Sequence, residues 1–169
     1  MKALLVMDVQ NFILGFGDFS ATIEKIKSLI SHYDALGNDV IFIQHVDDDP
    51  ESPMYRENTD NVGLYINPEK HKVITKNMPD AFANEELGQY LKDKGITQIS
   101  IAGFNAEICC KCTAIGGYYK GLSVEYIADA CNTTNTPEMY EMPGLDIIRF
   151  VCYFLEDSGY AKVVQADDI

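Results

Sequence analysis

Residues 103–114, GFNAEICCKCTA, hold three of the chain's five cysteines within four positions. A thiol can bind a metal, pack as a small apolar group or act as a nucleophile. On a helix, Cys109 and Cys112 are three apart and share a face, whereas Cys110 points elsewhere. A structural zinc site needs a second ligand pair at matching spacing. Cys131, Cys152 and the three scattered histidines do not supply one, so no metal and no cofactor is expected. Cys110 reads as a core residue, as free cysteines usually are. Cys109 differs, because it falls in the first turn of its expected helix. Unpaired N–H groups and the helix dipole favour a thiolate there. A lowered pKa would make that thiol a nucleophile at neutral pH, and the same N–H groups can hold an oxyanion. Two further residues would complete the chemistry. Asp8 can take the thiol proton and return it to a leaving group. Lys76 can fix that carboxylate or stabilise developing negative charge.

The elements that must position these groups follow from apolar patterning. KALLVMDVQ is an apolar run ending in an acid and an amide, and it reads as a buried strand. Ile23, Ile26, Leu29, Ile30 and Tyr33 recur at helical spacing within 22–36, and Gly37-Asn38 supplies a stop. DVIFIQH (39–45) and KVITK (72–76) are a second and a third strand, separated by a long polar loop over 46–71. Loops of that length in compact domains usually carry function or are mobile. Asn84 caps a helix over EELGQYLKDK that Gly95 closes. TQISIAG is a fourth strand, the cysteine stretch opens a third helix that Gly121 ends, and LSVEYIADA is a fifth strand. A helix over 145–155, with Ile148, Val151, Cys152 and Leu155 inward, and an edge strand AKVVQ complete the pattern.

Strands alternating with helices give an α/β, Rossmann-like three-layer fold: a six-stranded parallel sheet with helices on both faces. Residues 1–169 are expected to form one domain. In such folds, sites form beyond the carboxyl ends of the strands. Asp8, His45 and Lys76 end the first three strands, and Cys109 follows the fourth. Alone, Asp8 would be a strand-ending cap and Lys76 a surface charge. Their convergence with Cys109 on one sheet edge argues for chemistry.

The formal net charge of −13 disfavours nucleic acid and anionic membranes as partners. The apolar run after Lys2 is too short for a signal-peptide core or a membrane span. With an odd cysteine count, this points to a reducing, cytoplasmic setting.

Three blocks make the chain resemble the isochorismatase-like cysteine hydrolases. They are LLVMDVQN (4–11), ITKNMPDAFANEEL (74–87) and IAGFNAEICCKCTA (101–114), with Asp129-Ala130 beyond them. The resemblance implies a triad of Asp8, Lys76 and Cys109, whose thiolate attacks an amide-type carbonyl and passes through a thioester. It also implies a cis peptide at Phe104–Asn105 and an oxyanion hole built from the Asn105 and Cys109 N–H groups. Phe12, Phe16, His45 and Phe82 are candidate substrate contacts, with Tyr118 and Tyr119 as further aromatic candidates. The partners implied are a small-molecule substrate and further copies of the chain in a homo-oligomer.

The chain departs from the family pattern at informative places. Ala106-Glu107 replaces the usual Thr-Asp before the cysteine, and Glu107 would raise the thiol pKa if it pointed inward. Asn11-Phe12-Ile13 replaces Asn-Asp-Phe. Gln44-His45-Val46-Asp47 does not reproduce the metal-ligand spacing of the nicotinamidase branch, so nicotinamide is not the favoured substrate. The vinyl-ether-cleaving branch lacks the cysteine present here. The favoured reading is therefore a cysteine hydrolase acting on a small amide, carbamoyl or related carbonyl compound. Two others stay open: a non-catalytic binding or assembly protein on the same fold, and a thiol redox sensor.

Overall fold

The computed structural model describes residues 1–169. Its strands are β1 (Lys2–Met7), β2 (Asp39–His45), β3 (Lys72–Lys76), β4 (Gln98–Gly103), β5 (Ser123–Cys131) and β6 (Lys162–Val164). They form a six-stranded sheet in the order β3-β2-β1-β4-β5-β6. Every pairing is parallel. The expected sheet is present, and β6 lies at its edge. The helices are α1 (Asn11–Leu14), α2 (Ser20–Ala35), α3 (Thr59–Val62), α4 (Glu85–Asp93), α5 (Lys111–Tyr119) and α6 (Ile147–Asp157).

Alternation along β1 divides the core. Leu4 and Val6 face one side with Ile23, Ile26, Leu29 and Tyr33 of α2. Ala3, Leu5 and Met7 face the other, with Leu87 and Leu91 of α4, Ala114 of α5 and Val151 and Leu155 of α6. A strand exposes neither face when helices cover both, which is why β1 is apolar throughout. The helix caps behave as the sequence predicts for α4, where the Asn84 side chain accepts from Glu86 N–H. Asp146 caps α6 in the same way, accepting from Arg149 N–H.

The 46–71 segment is not structureless. It contains the single turn of α3, and buried Gln10 holds that turn against the sheet. The Gln10 amide donates to Val62 O at 2.8 Å and to His45 O at 2.9 Å, and its carbonyl accepts from His45 N–H at 2.8 Å. The cysteine stretch also differs from expectation. A π-helical turn, Ala106–Cys110, precedes α5, so Cys109 lies within that turn instead of in the first turn of an α-helix.

Candidate active site

Asp8 leaves β1 with φ of 50°, in the left-handed region that Asp tolerates better than most residues. The turn buries its carboxylate at the edge of the sheet, with 2 % of the residue exposed. Lys76, at the end of β3, is 4 % exposed and reaches across to it. Its Nζ lies 2.9 Å from Asp8 Oδ2 and 3.2 Å from Cys109 Sγ. The three residues therefore meet. Asp8 Oδ1 is buried and has no hydrogen-bond partner, leaving one lone-pair site free to accept a proton.

Burial pushes the Cys109 thiol up to about 12, with the Asp8 charge adding to the rise and Lys76 opposing it. This reverses the expected lowering. Loss of water and the facing carboxylate both disfavour the thiolate. Burial would lower Lys76, but the charges on Asp8 and Cys109 outweigh it and hold the ammonium above its ordinary value. A thiol proton lost to water would leave two anions against one cation. A proton passed to Asp8 leaves one anion facing one cation, so internal transfer avoids that cost.

The peptide between Phe104 and Asn105 is cis. Asn105 N–H bonds to no backbone carbonyl, and the Asn105 side chain accepts from Thr134 N–H at 2.9 Å. Glu107, expected to threaten the thiol if inward, is engaged elsewhere. Its Oε1 accepts from Thr133, Asn135 and Tyr140 at 2.8, 2.7 and 2.8 Å, stitching the loop after β5 onto the cysteine turn. The charges that act on the thiol are those of Asp8 and Lys76.

The other predicted contacts are placed unequally. Phe12 and Phe16 stack edge to face at 5.1 Å on and just beyond α1, the first half-buried and the second exposed. Phe82 is packed in the core beneath α4 and α5 and lines the groove between them. That groove, a cavity of about 830 Å³, opens near Ile96 and Leu122, at the amino ends of β4 and β5, away from the cysteine. A smaller cavity of about 260 Å³ shares Lys76 with Val46, Arg56 and Asn77. Tyr118 and Tyr119 are exposed and pack on Tyr160. His45 faces Lys76, its Nδ1 3.2 Å from the ammonium. Cys110 is fully buried in the core. No group of three His, Cys, Asp or Glu side chains gathers in a way that could hold a metal ion. Two participants were missed in the sequence: Gln10, which clamps His45, and Asp47, 2.9 Å from His45 Nε2. Only the Asp-x-Gln spacing pointed to the first.

A family model of the isochorismatase domain matches residues 2–146. The chain is 29 % identical over 140 residues to the isochorismatase family protein YddQ of Bacillus subtilis, covering 78 % of each. It is 30 % identical over 147 residues to a streptothricin hydrolase of Streptomyces noursei, covering 81 % of this chain and 56 % of that enzyme. A cysteine hydrolase from Pseudomonas syringae shares the fold at a TM-score of 0.83, with 16 % identity, over 99 % of this chain and 89 % of that one.

Proposed function

The chain belongs to the isochorismatase family, and from that premise we propose that it is a cysteine hydrolase cleaving a small amide, carbamoyl or related carbonyl compound. The observation that carries this reading is the buried contact of Lys76 with both Asp8 and Cys109. One relative is named for hydrolysing streptothricin, which fits an amide-cleaving activity.

In the proposed reaction, Asp8 Oδ1 takes the thiol proton as Cys109 Sγ bonds to the substrate carbonyl carbon. The carbonyl oxygen becomes an oxyanion, held by the Asn105 and Cys109 N–H groups. Collapse breaks the C–N bond, and the nitrogen leaves with the proton from Asp8. The product bound to the enzyme is a thioester. Water then gives a proton to Asp8 and its oxygen to the carbonyl carbon. The thiolate departs, the acid is released and the proton returns to sulfur. Lys76 keeps its charge throughout and offsets whichever group is anionic. In this reading Phe12 and Phe16 are candidate substrate contacts, and the working form is a homo-oligomer.

The test is a panel of small primary amides and carbamoyl compounds, with trapping of the acylated protein by mass spectrometry. Turnover with an adduct on the Cys109 peptide supports the reading, and Cys109→Ala should abolish both. Adducts absent across the panel, with Cys109→Ala indistinguishable from wild type, would reject it.

A further inference from the structure

A lysine ammonium carries three N–H donors. Those of Lys76 have three acceptors around them: Asp8 Oδ2 at 2.9 Å, Cys109 Sγ at 3.2 Å and His45 Nδ1 at 3.2 Å. The third acceptor has a consequence. Nδ1 can accept only if its lone pair is free, so the imidazole must be neutral with its proton on Nε2. Nε2 in turn lies 2.9 Å from Asp47 Oδ1, an acceptor placed to hold that proton. Asp47 is itself fixed, since its Oδ2 accepts from the Ser52 hydroxyl. The Ser52 hydroxyl lowers the Asp47 carboxyl despite partial burial, and His45 lowers it further, so Asp47 stays an anion. The backbone of His45 is clamped on both sides by the Gln10 side chain. Val46 N–H, next along, bonds to Lys76 O at 2.8 Å.

We infer that His45 is a positioning residue for the triad, a neutral Nε2–H imidazole held by Asp47 that aims the Lys76 ammonium at Cys109. The groups facing the imidazole are Lys76 from β3 and Asp47 from the following segment, with Asp8 and Cys109 behind Lys76. Two effects follow. Removing the imidazole leaves one buried N–H of Lys76 unpaired, and the ammonium turns away from the sulfur to find water. A proton on Nδ1 would place a second positive charge against the ammonium and remove the acceptor, so the arrangement holds only with a neutral imidazole.

The experiment is side-chain nitrogen NMR on the intact, uniformly labelled chain, which holds three histidines. The expected result is one imidazole in the Nε2–H form at neutral pH whose signals vanish in His45→Asn. In Lys76→Met, with the donor to Nδ1 gone, the Nδ1 signal of that imidazole should move. An Nδ1–H or doubly protonated His45, or an Nδ1 signal indifferent to Lys76→Met in a well-dispersed spectrum, overturns the inference. A second reading uses iodoacetamide alkylation of Cys109. His45→Ala should slow it by about tenfold, the worth of one hydrogen bond to a charged group. His45→Asn, whose amide oxygen can accept in place of Nδ1, should restore it. If Ala and Asn behave alike, His45 has no positioning role. The inference builds on the proposed triad, yet both readouts are independent of amide cleavage, so its failure and that of the hydrolase reading are separable.

Discussion

Asp8 and Lys76 act on the Cys109 thiol with opposite sign, and the sign is measurable. Because burial and the Asp8 carboxylate place the thiol at about 12, only a small fraction is ionised near neutrality. Alkylation of Cys109 by iodoacetamide should therefore be slow at pH 7 and climb steadily into the alkaline range. Asp8→Asn removes the charge that raises the thiol, so alkylation at pH 8 should accelerate. Lys76→Met removes the charge that lowers it, so alkylation should slow. At a pH well below its pKa, the thiolate fraction changes about tenfold for every whole-number change in that pKa. Peptide mapping by mass spectrometry reads such a change directly as an alkylation rate. Cys110, fully buried, serves as an unreactive control in the same digest. Equal effects of the two substitutions, or a plateau already reached at pH 7, would refute this electrostatic account. Such a plateau would mean that the helix end dominates after all, as sequence position alone implies.

Where β1 and β4 end, side by side, the backbone leaves no room for a side chain. Gly103 has φ of +126°, and a Cβ there would sit 2.1 Å from Met7 O. Met7 immediately precedes Asp8, and its carbonyl accepts from Phe104 N–H at 2.9 Å. Gly103→Ala must therefore push apart the two strand ends that carry the carboxylate and the cysteine turn. The expected loss is well over about 1 kcal/mol, read as a lower thermal midpoint. Gly88, in α4, has open space around its Cβ direction. Gly88→Ala should be neutral or stabilising by up to about 1 kcal/mol. Equal midpoints for the two variants would contradict the packing argument. The contrast also shows what was legible in the sequence. The strands and the helices α2, α4 and α6 were readable because apolar period and capping residues act locally. Asp8, Lys76 and Cys109 were readable because the parallel topology converts strand ends into one edge. The turn α3 was not, because Gln10 and Gln44, distant in sequence, hold it through Val62 O. The π turn at 106–110 was not, because no residue type announces it. The direction of the thiol shift was misread because burial cannot be seen in a local pattern.

Over the whole molecule, the surface is uneven. The helices α5 and α6 present Tyr118, Tyr119, Phe150, Tyr153 and Phe154 to solvent, the most exposed of them 71 % accessible. Tyr160 ties the patch together, its ring centroid 5.3 Å from that of Tyr118 and 6.0 Å from that of Phe154. Aromatic faces of this kind mark association surfaces. For the proposed homo-oligomer, α6 carries a self-complementary charge pattern. Arg149 stands near its amino end, and Glu156 and Asp157 at its carboxyl end, on the same outward side as Phe150 and Tyr153. Two copies of α6 packed antiparallel about a two-fold axis near Tyr153 would set Arg149 of each against Glu156 of the other, as an isologous contact requires. Like charges at that contact cost affinity. Arg149→Glu alone and Glu156→Arg alone should each raise the dimer dissociation constant by about tenfold or more. The double swap, which rebuilds the pair in reverse, should bring it back, and Tyr153→Glu should weaken the dimer irrespective of either. Sedimentation velocity over a concentration series reads all four. If the single swaps leave the association unchanged, the subunits meet elsewhere. If the double swap fails to recover what each single swap loses, the antiparallel register is wrong.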